Sequence, residues 1–200
     1  MKKNSASDFK EILSPAETEY QPMIRQFALK SAELTTRFFH LFGVEETLRT
    51  LQTLATQEKW KSLASHESPL TRRLLEKLKL PTIWTDAGYA AEELEKADAS
   101  ITLCDALIAQ TGSLLLNSRT SGGRALSILP PHHIVLATPE QLLPDLPSAF
   151  ELIQGKYQDD YPSMLSLVTG PSRTGDIERI LVLGAHGPRK LTVILVENPD

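Results

Sequence analysis

Apolar positions recur in the first third of the chain at three- and four-residue steps. Met23, Ile24, Phe27, Leu34, Phe38, Leu41 and Phe42 alternate with Gln26, Lys30, Glu33 and Arg37, a pattern that predicts an amphipathic helix ended by Gly43. Val44, Leu48, Leu51 and Ala55 repeat the step. The result is an N-terminal helical arm over residues 1–58, whose apolar stripe must be covered by the chain's own sheet or by another subunit. From Trp60 the period shortens. Lys61 to His66 reads as a strand, Ser68-Pro69 as an N-cap and first-turn proline, and Leu70, Leu74, Leu75 and Leu78 as one helix face. Thr82 to Thr85 is a second strand and Ala90 to Lys96 a short helix. Further apolar runs follow at Ala99 to Cys104, Ala106 to Ala109, Ser113 to Asn117, Ile134 to Ala137, Leu165 to Thr169, Ile180 to Leu183 and Leu191 to Val196. Thr138-Pro139-Glu140-Gln141 has the form of a capping box, and Pro144 and Pro147 are expected to delay any helix until Ala149 to Ile153. Strands rich in Val, Ile and Leu that alternate with helices predict an α/β domain over residues 59–200, with a sheet covered on both faces.

Composition narrows the function. A formal net charge of -4 over 200 residues provides no basic footprint, which argues against a nucleic-acid binder or a polybasic membrane-surface protein. The polar start, Met1 to Phe9, does not read as a secretory signal, no apolar stretch is long enough to span a bilayer, and a cytoplasmic setting is expected. Cys104 is the single cysteine, so this chain alone can form neither an internal disulfide nor a thiolate cage for a metal cluster. Its apolar neighbours mark it as a buried structural thiol.

Three loops concentrate glycine with polar or basic groups just beyond an apolar run. Gln110-Thr111-Gly112-Ser113, together with Ser118 to Arg124 and its two arginines, could either cradle an anion or form an ordinary hairpin. In Gly170-Pro171-Ser172-Arg173-Thr174-Gly175-Asp176-Ile177-Glu178, a helical turn starting near Thr174 or Gly175 would point free amides at an anion flanked by Ser172, Arg173 and Thr174. Asp176 and Glu178 would oppose that charge. His186, in Gly184-Ala185-His186-Gly187-Pro188, is the candidate acid or base, with a turn histidine as the plainer reading. His132 and His133 are adjacent and diverge on an extended backbone, and no metal site is expected.

Four segments, Cys104 to Ser113, Leu129-Pro130-Pro131-His132-His133-Ile134, Gly170 to Glu178 and Gly184 to Pro188, occur in the order seen in LUD-domain proteins, which the chain resembles over roughly Trp60 to Glu197. The resemblance implies a three-layer α/β fold with a mostly parallel sheet, similar to the NagB, RpiA and CoA-transferase group. It also implies an accessory role in lactate utilization, the oxidation of L-lactate to pyruvate, beside cysteine-rich iron–sulfur subunits and with no cofactor of its own. A small anionic ligand is expected to be held by Thr111, Gly112, Arg124, His133, Ser172, Arg173, Thr174, Asp176 and His186, of which the resemblance supports Ser172, Arg173, Thr174 and His186 and carries over His133. Gln110 stands where the family commonly has glutamate, which disfavours a carboxylate-nucleophile transferase mechanism, and Gly175 stands where alanine is usual. Two other readings remain: a stand-alone isomerase, ligase or acyl-transfer enzyme acting on a phosphorylated or carboxylate molecule, and an interaction module docking through the arm. A homo-oligomer is compatible with all three.

Overall fold

The structure, a computed structural model, describes residues 13–177, 180–183 and 187–199, with the backbone alone for 174–177 and 180–183. Among these, the elements run α1 (Tyr20–Glu33), β1 (Arg37–Phe42), α2 (Gly43–Glu58), β2 (Leu63–Ser65), α3 (Pro69–Leu78), β3 (Thr82–Trp84), α4 (Ala91–Lys96), β4 (Ala99–Leu103), β5 (Ala106–Ile108), β6 (Ser113–Asn117), β7 (His132–Ala137), β8 (Leu142–Leu143), α5 (Leu146–Tyr157), β9 (Leu165–Val168), β10 (Arg173–Ile177), β11 (Ile180–Leu183) and β12 (Lys190–Glu197). The main sheet has six strands in the order β1-β12-β7-β4-β2-β3, and every neighbouring pair is parallel. A second sheet, β8-β5-β6-β9, has antiparallel pairs at β5–β6 and β6–β9.

Alternation along the inner strands sorts the core into two halves, as a pleated strand requires. Ile134, Leu136, Ile194 and Val196 face a layer made by α2 and α3, where Leu48, Leu51, Leu54, Leu74 and Leu75 meet them. Val135, Ala137, Leu191, Val193 and Leu195 face α1 and the second sheet, contacting Met23, Ile24, Phe27, Leu107, Leu114 and Leu116. The expected three-layer architecture is thus present, and the apolar stripe of the first helices is covered by the chain's own sheets.

One expectation fails between these helices. The predicted helix through Phe42 ends at Glu33, and Arg37–Phe42 is an extended edge strand paired with β12. Phe38, Leu41 and Phe42 satisfy a helical period and a strand period equally well. Burial decides for the strand, because Phe39 and Leu41 reach one half of the core while Phe38 reaches the other. Gly43, expected to stop a helix, begins α2 with φ +79°. Pro147 likewise does not delay α5. It sits in the first turn behind Asp145, whose Oδ1 accepts from Ser148 N at 2.9 Å.

Histidines enter this apolar sheet only with partners. His133 is 1% exposed, its Nε2 2.8 Å from Thr102 Oγ1 on the adjacent strand. His132, 3% exposed, places Nε2 2.9 Å from Thr192 Oγ1, with its ring edge-on to Trp60. Burial pushes both below the ordinary histidine range, His133 to about 3 and His132 to about 4. The fold therefore holds both neutral, whereas the unfolded chain takes up protons below pH about 6.5. Stability is complete above that pH and is lost as pH falls toward the folded values, by up to about 1.4 kcal/mol per pH unit for each histidine. Urea midpoints measured from pH 7.5 down to 4.5 should show this decline, and His133→Gln should flatten its slope.

Candidate functional site

Where a parallel sheet sends adjacent strands' connections to opposite faces, a crevice opens at the carboxyl ends. Here those strands are β2 and β4. From β2 the chain turns into α3 on one face; from β4 it passes through Cys104 and Asp105 to β5 on the other. A cleft of about 480 Å³ lies at this edge, lined by Ser68, Pro69, Leu70, Arg73, Leu103, Thr138, Gln141 and Pro199. Its parts are locally fixed. Ser68 caps α3 in a reciprocal box with Thr71, the two side chains each accepting from the other's backbone N–H. Gln141 Oε1 accepts from Thr138 N at 2.7 Å while its amide nitrogen donates to Cys104 O, so one side chain ties the ends of β7 and β4. Arg73 Nη1 donates to Pro199 O at 3.2 Å, closing the far wall.

Behind the cleft, His66 Nε2 accepts from Leu103 N at 3.1 Å. Burial lowers its pKa, in keeping with the neutral ring this bond requires. Gly122, φ +70°, lies against that ring; an added Cβ would come within 2.5 Å of His66 Cβ. The loop is held in place by Asp105. Its carboxylate, 1% exposed, accepts from Lys156 Nζ at 2.8 Å and Thr120 Oγ1 at 3.0 Å on one oxygen, and from Tyr157 OH and Asn117 Nδ2, each at 2.7 Å, on the other. Asn117 Oδ1 in turn accepts from the backbone of Arg119 and Thr120. Burial works against the Lys156 ammonium, but its bonds to Asp105 and Tyr157 outweigh burial and raise its pKa; burial and the Asp105 bond raise that of Tyr157.

The residues expected to bind an anion whose side chains are described stand in more than one place. Arg124 donates to Ser163 O, and Arg119 to the carbonyls of Asp160 and Tyr161, so the loop arginines hold the segment that follows α5. Thr111, Gly112, Ser172 and Arg173 gather around the C-terminal end of α1. There Gly112, φ +67°, packs its Cα on the Lys30–Ser31 backbone, and Thr111 Oγ1 donates to Ser113 Oγ. Ser172 N donates to Pro188 O at 2.9 Å, while Arg173 Nη2 donates to Leu34 O and, at 2.8 Å, to Thr35 Oγ1. A cation on the last carbonyls of a helix is favourably placed against its dipole. The helical turn expected near Thr174 and Gly175 is absent, because Arg173–Ile177 is a strand antiparallel to β11. His133 is enclosed in the core, its Nε2 against Thr102 Oγ1. The side chains of Thr174 and Asp176, and all of His186, lie outside the described residues. Cys104 is buried, and burial pushes its thiol pKa up, as expected for a structural thiol. Among the described residues no group of three or more His, Cys, Asp or Glu could hold a metal ion.

Ser68 and Gln141 were visible in the sequence as helix caps, but their shared cleft depends on strand order. Asp105 sits in an apolar run, and nothing local points to Lys156 and Tyr157 as its partners. Asp105→Asn leaves Lys156 without its counter-charge and should lower stability by about 2–3 kcal/mol while making the 118–124 loop more susceptible to proteolysis. Denaturant unfolding and limited proteolysis read the two effects.

Comparison with known proteins places these features in a family. The curated relatives include "Lactate utilization protein C" of Macrococcus caseolyticus, 35% identical over 121 residues, which are 58% of this chain and 52% of that protein. The protein of the same name from Deinococcus radiodurans is 33% identical over 135 residues, 62% of this chain and 63% of that one. The match thus spans between about half and two thirds of each relative's length. Among solved structures, a DUF162 family protein from Deinococcus radiodurans superposes with a TM-score of 0.70 at 21% identity, covering 90% of this chain and 99% of that one, and so shares the fold. The LUD domain model matches residues 11–196, which include the second sheet, the six-stranded sheet up to the last residue of β12, and every residue lining the carboxyl-edge cleft but Pro199, and the chain belongs to the LUD domain family.

Proposed function

We propose that this chain is an accessory subunit of lactate utilization that holds a small carboxylate in the carboxyl-edge cleft. The observation that carries the reading is the similarity, at 33–35% identity, to proteins named for lactate utilization. The cleft suits the ligand class. Arg73 supplies one cation, Ser68 and Thr138 contribute hydroxyls, and Pro69, Leu70 and Leu103 line it with apolar surface, a combination fitted to a small anion with a short apolar body. Oxidation of L-lactate to pyruvate releases two electrons and two protons. With Cys104 its single cysteine, this chain cannot itself build a thiolate-held cluster to take up the electrons, so that task falls to cysteine-rich iron–sulfur partner subunits. The alternative, a stand-alone enzyme that grips its substrate with Arg124 and Arg173, draws less support, because Arg124 is bonded to Ser163 ahead of β9 and Arg173 to Leu34 beyond α1, so the two guanidinium groups do not converge on one ligand. No helix among the described residues is long and apolar enough to cross a membrane.

Recovery of the tagged full chain from cells grown on lactate, with iron analysis and mass spectrometry, tests the assembly: cysteine-rich, iron-containing subunits should accompany it, and an iron-free single species overturns the reading. For the cleft, calorimetric titration with L-lactate and with pyruvate should show Arg73→Ala weakening binding by about 1.5–3 kcal/mol, the scale of a charge-assisted hydrogen bond. Unchanged affinity removes Arg73 from the site.

A further inference from the structure

The far wall of the carboxyl-edge cleft is made by residues beyond the last strand. β12 ends at Glu197, and Asn198 and Pro199 reach from there to Arg73 on α3. The near end of this segment is fixed. Glu197 is half-buried, and its Oε1 accepts from Tyr20 OH at the start of α1 and lies 2.7 Å from His40 Nε2 on β1. One carboxylate thus ties the strand end to the helix on one side and to the neighbouring strand on the other. The far end is held more loosely. Pro199 is half-buried, and among the described residues it makes one hydrogen bond, accepted by its carbonyl from Arg73 Nη1 at 3.2 Å in an exposed position. Between the two ends Asn198 is exposed and takes φ +48°, a left-handed conformation that disfavours L residues and that asparagine tolerates better than most.

Arg73 therefore has two possible partners. It is the one cation among the residues lining the cleft, and its Nη1 is taken up by a neutral carbonyl. A carboxylate carries the opposite charge and offers two oxygens in the geometry of the guanidinium fork, so its bond to arginine is the stronger one. A carboxylate that engages both terminal nitrogens takes Nη1 from Pro199. Once that bond is lost, nothing at the far end opposes the return of Asn198 to an ordinary φ, and the segment swings away from the cleft about the fixed Glu197.

We infer that Asn198–Pro199 is a strap across the carboxyl-edge cleft, its Pro199 carbonyl holding the Arg73 guanidinium until a carboxylate displaces it. The inference rests on the reading of the cleft as a carboxylate site, and it adds that the ligand enters by exchange with a backbone carbonyl.

Two measurements separate the strap from the site it covers. The first needs no ligand. Pro199→Cys keeps the carbonyl and places a thiol on the half-buried wall, while Cys104, 2% exposed, supplies no competing one. In that background the rate of reaction with an uncharged maleimide should rise about three- to ten-fold when Arg73→Ala removes the donor, the scale of one hydrogen bond. Asn198→Val should have a similar effect, since a β-branched residue resists the left-handed φ. Circular dichroism confirms that the fold is kept. The second measurement is calorimetric titration of the full chain with L-lactate and with pyruvate. Asn198→Val leaves every side chain of the cleft in place and should bind about three- to ten-fold more tightly, because the carbonyl no longer competes. Labelling rates unmoved by both Arg73→Ala and Asn198→Val overturn the strap, even where the two carboxylates bind. An affinity that Asn198→Val leaves unchanged or weakens overturns the exchange. Faster labelling in both variants, with neither carboxylate bound by any of the chains, upholds the Arg73 latch and overturns the carboxylate reading of the cleft.

Discussion

A parallel sheet covered on both faces gives a polar side-chain atom no route to water, so those on the inner strands take partners within the core, and among the described ones His132 Nδ1 is left without one. The partners found here bridge neighbouring elements. Thr102 meets His133 from β4 to β7, Thr192 meets His132 from β12 to β7, Ser65 donates to Ile101 O at 2.7 Å, and Ser100 donates to Leu126 O at 2.6 Å. A one-residue slip of any inner strand would break such a pair and turn its apolar side chains to the wrong half of the core. The same pairs that admit polar atoms therefore fix the register, and the register sets which residues reach the carboxyl edge.

The Asp105 carboxylate has the same requirement at greater cost. An ion taken out of water is tolerated only when its oxygens are fully bonded. Four donors from β6, the following loop and the end of α5 meet here, so elements distant in the chain depend on one side chain for their relative placement. The arginine loop borders the back of the cleft through Gly122 and His66, which links the buried charge to the shape of the candidate site.

Much of the fold was legible because inner strands of Val, Ile and Leu announce themselves by composition: β4, β5, β6, β7, β9, β11 and β12 all lie on runs read as strands. The Ser68 and Thr138 boxes were legible because a cap is a local device. Three features were not. Arg37–Phe42 fits both periods, and contact with β12 decides between them. Arg173–Ile177 contains Thr174 and Gly175, compatible with a turn, until an antiparallel partner makes it a strand. The division into two sheets depends on where the chain leaves β4, which no local pattern encodes. The cleft was the least legible part: it is assembled from the cap residues Ser68, Thr138 and Gln141, which only strand order brings together, whereas glycine and arginine content draws attention to the loops.

Cys104 has a consequence for the chemistry around it. Sealed beneath the second sheet, with its proton held tightly, it is almost never a thiolate, and the thiolate is the form that attacks disulfides, captures peroxide or binds stray iron and copper. This chain presents no cysteine nucleophile at its surface, so oxidants, free disulfides and loose metal ions around it leave it without mixed disulfides, sulfenic acid or adventitious metal on a thiol.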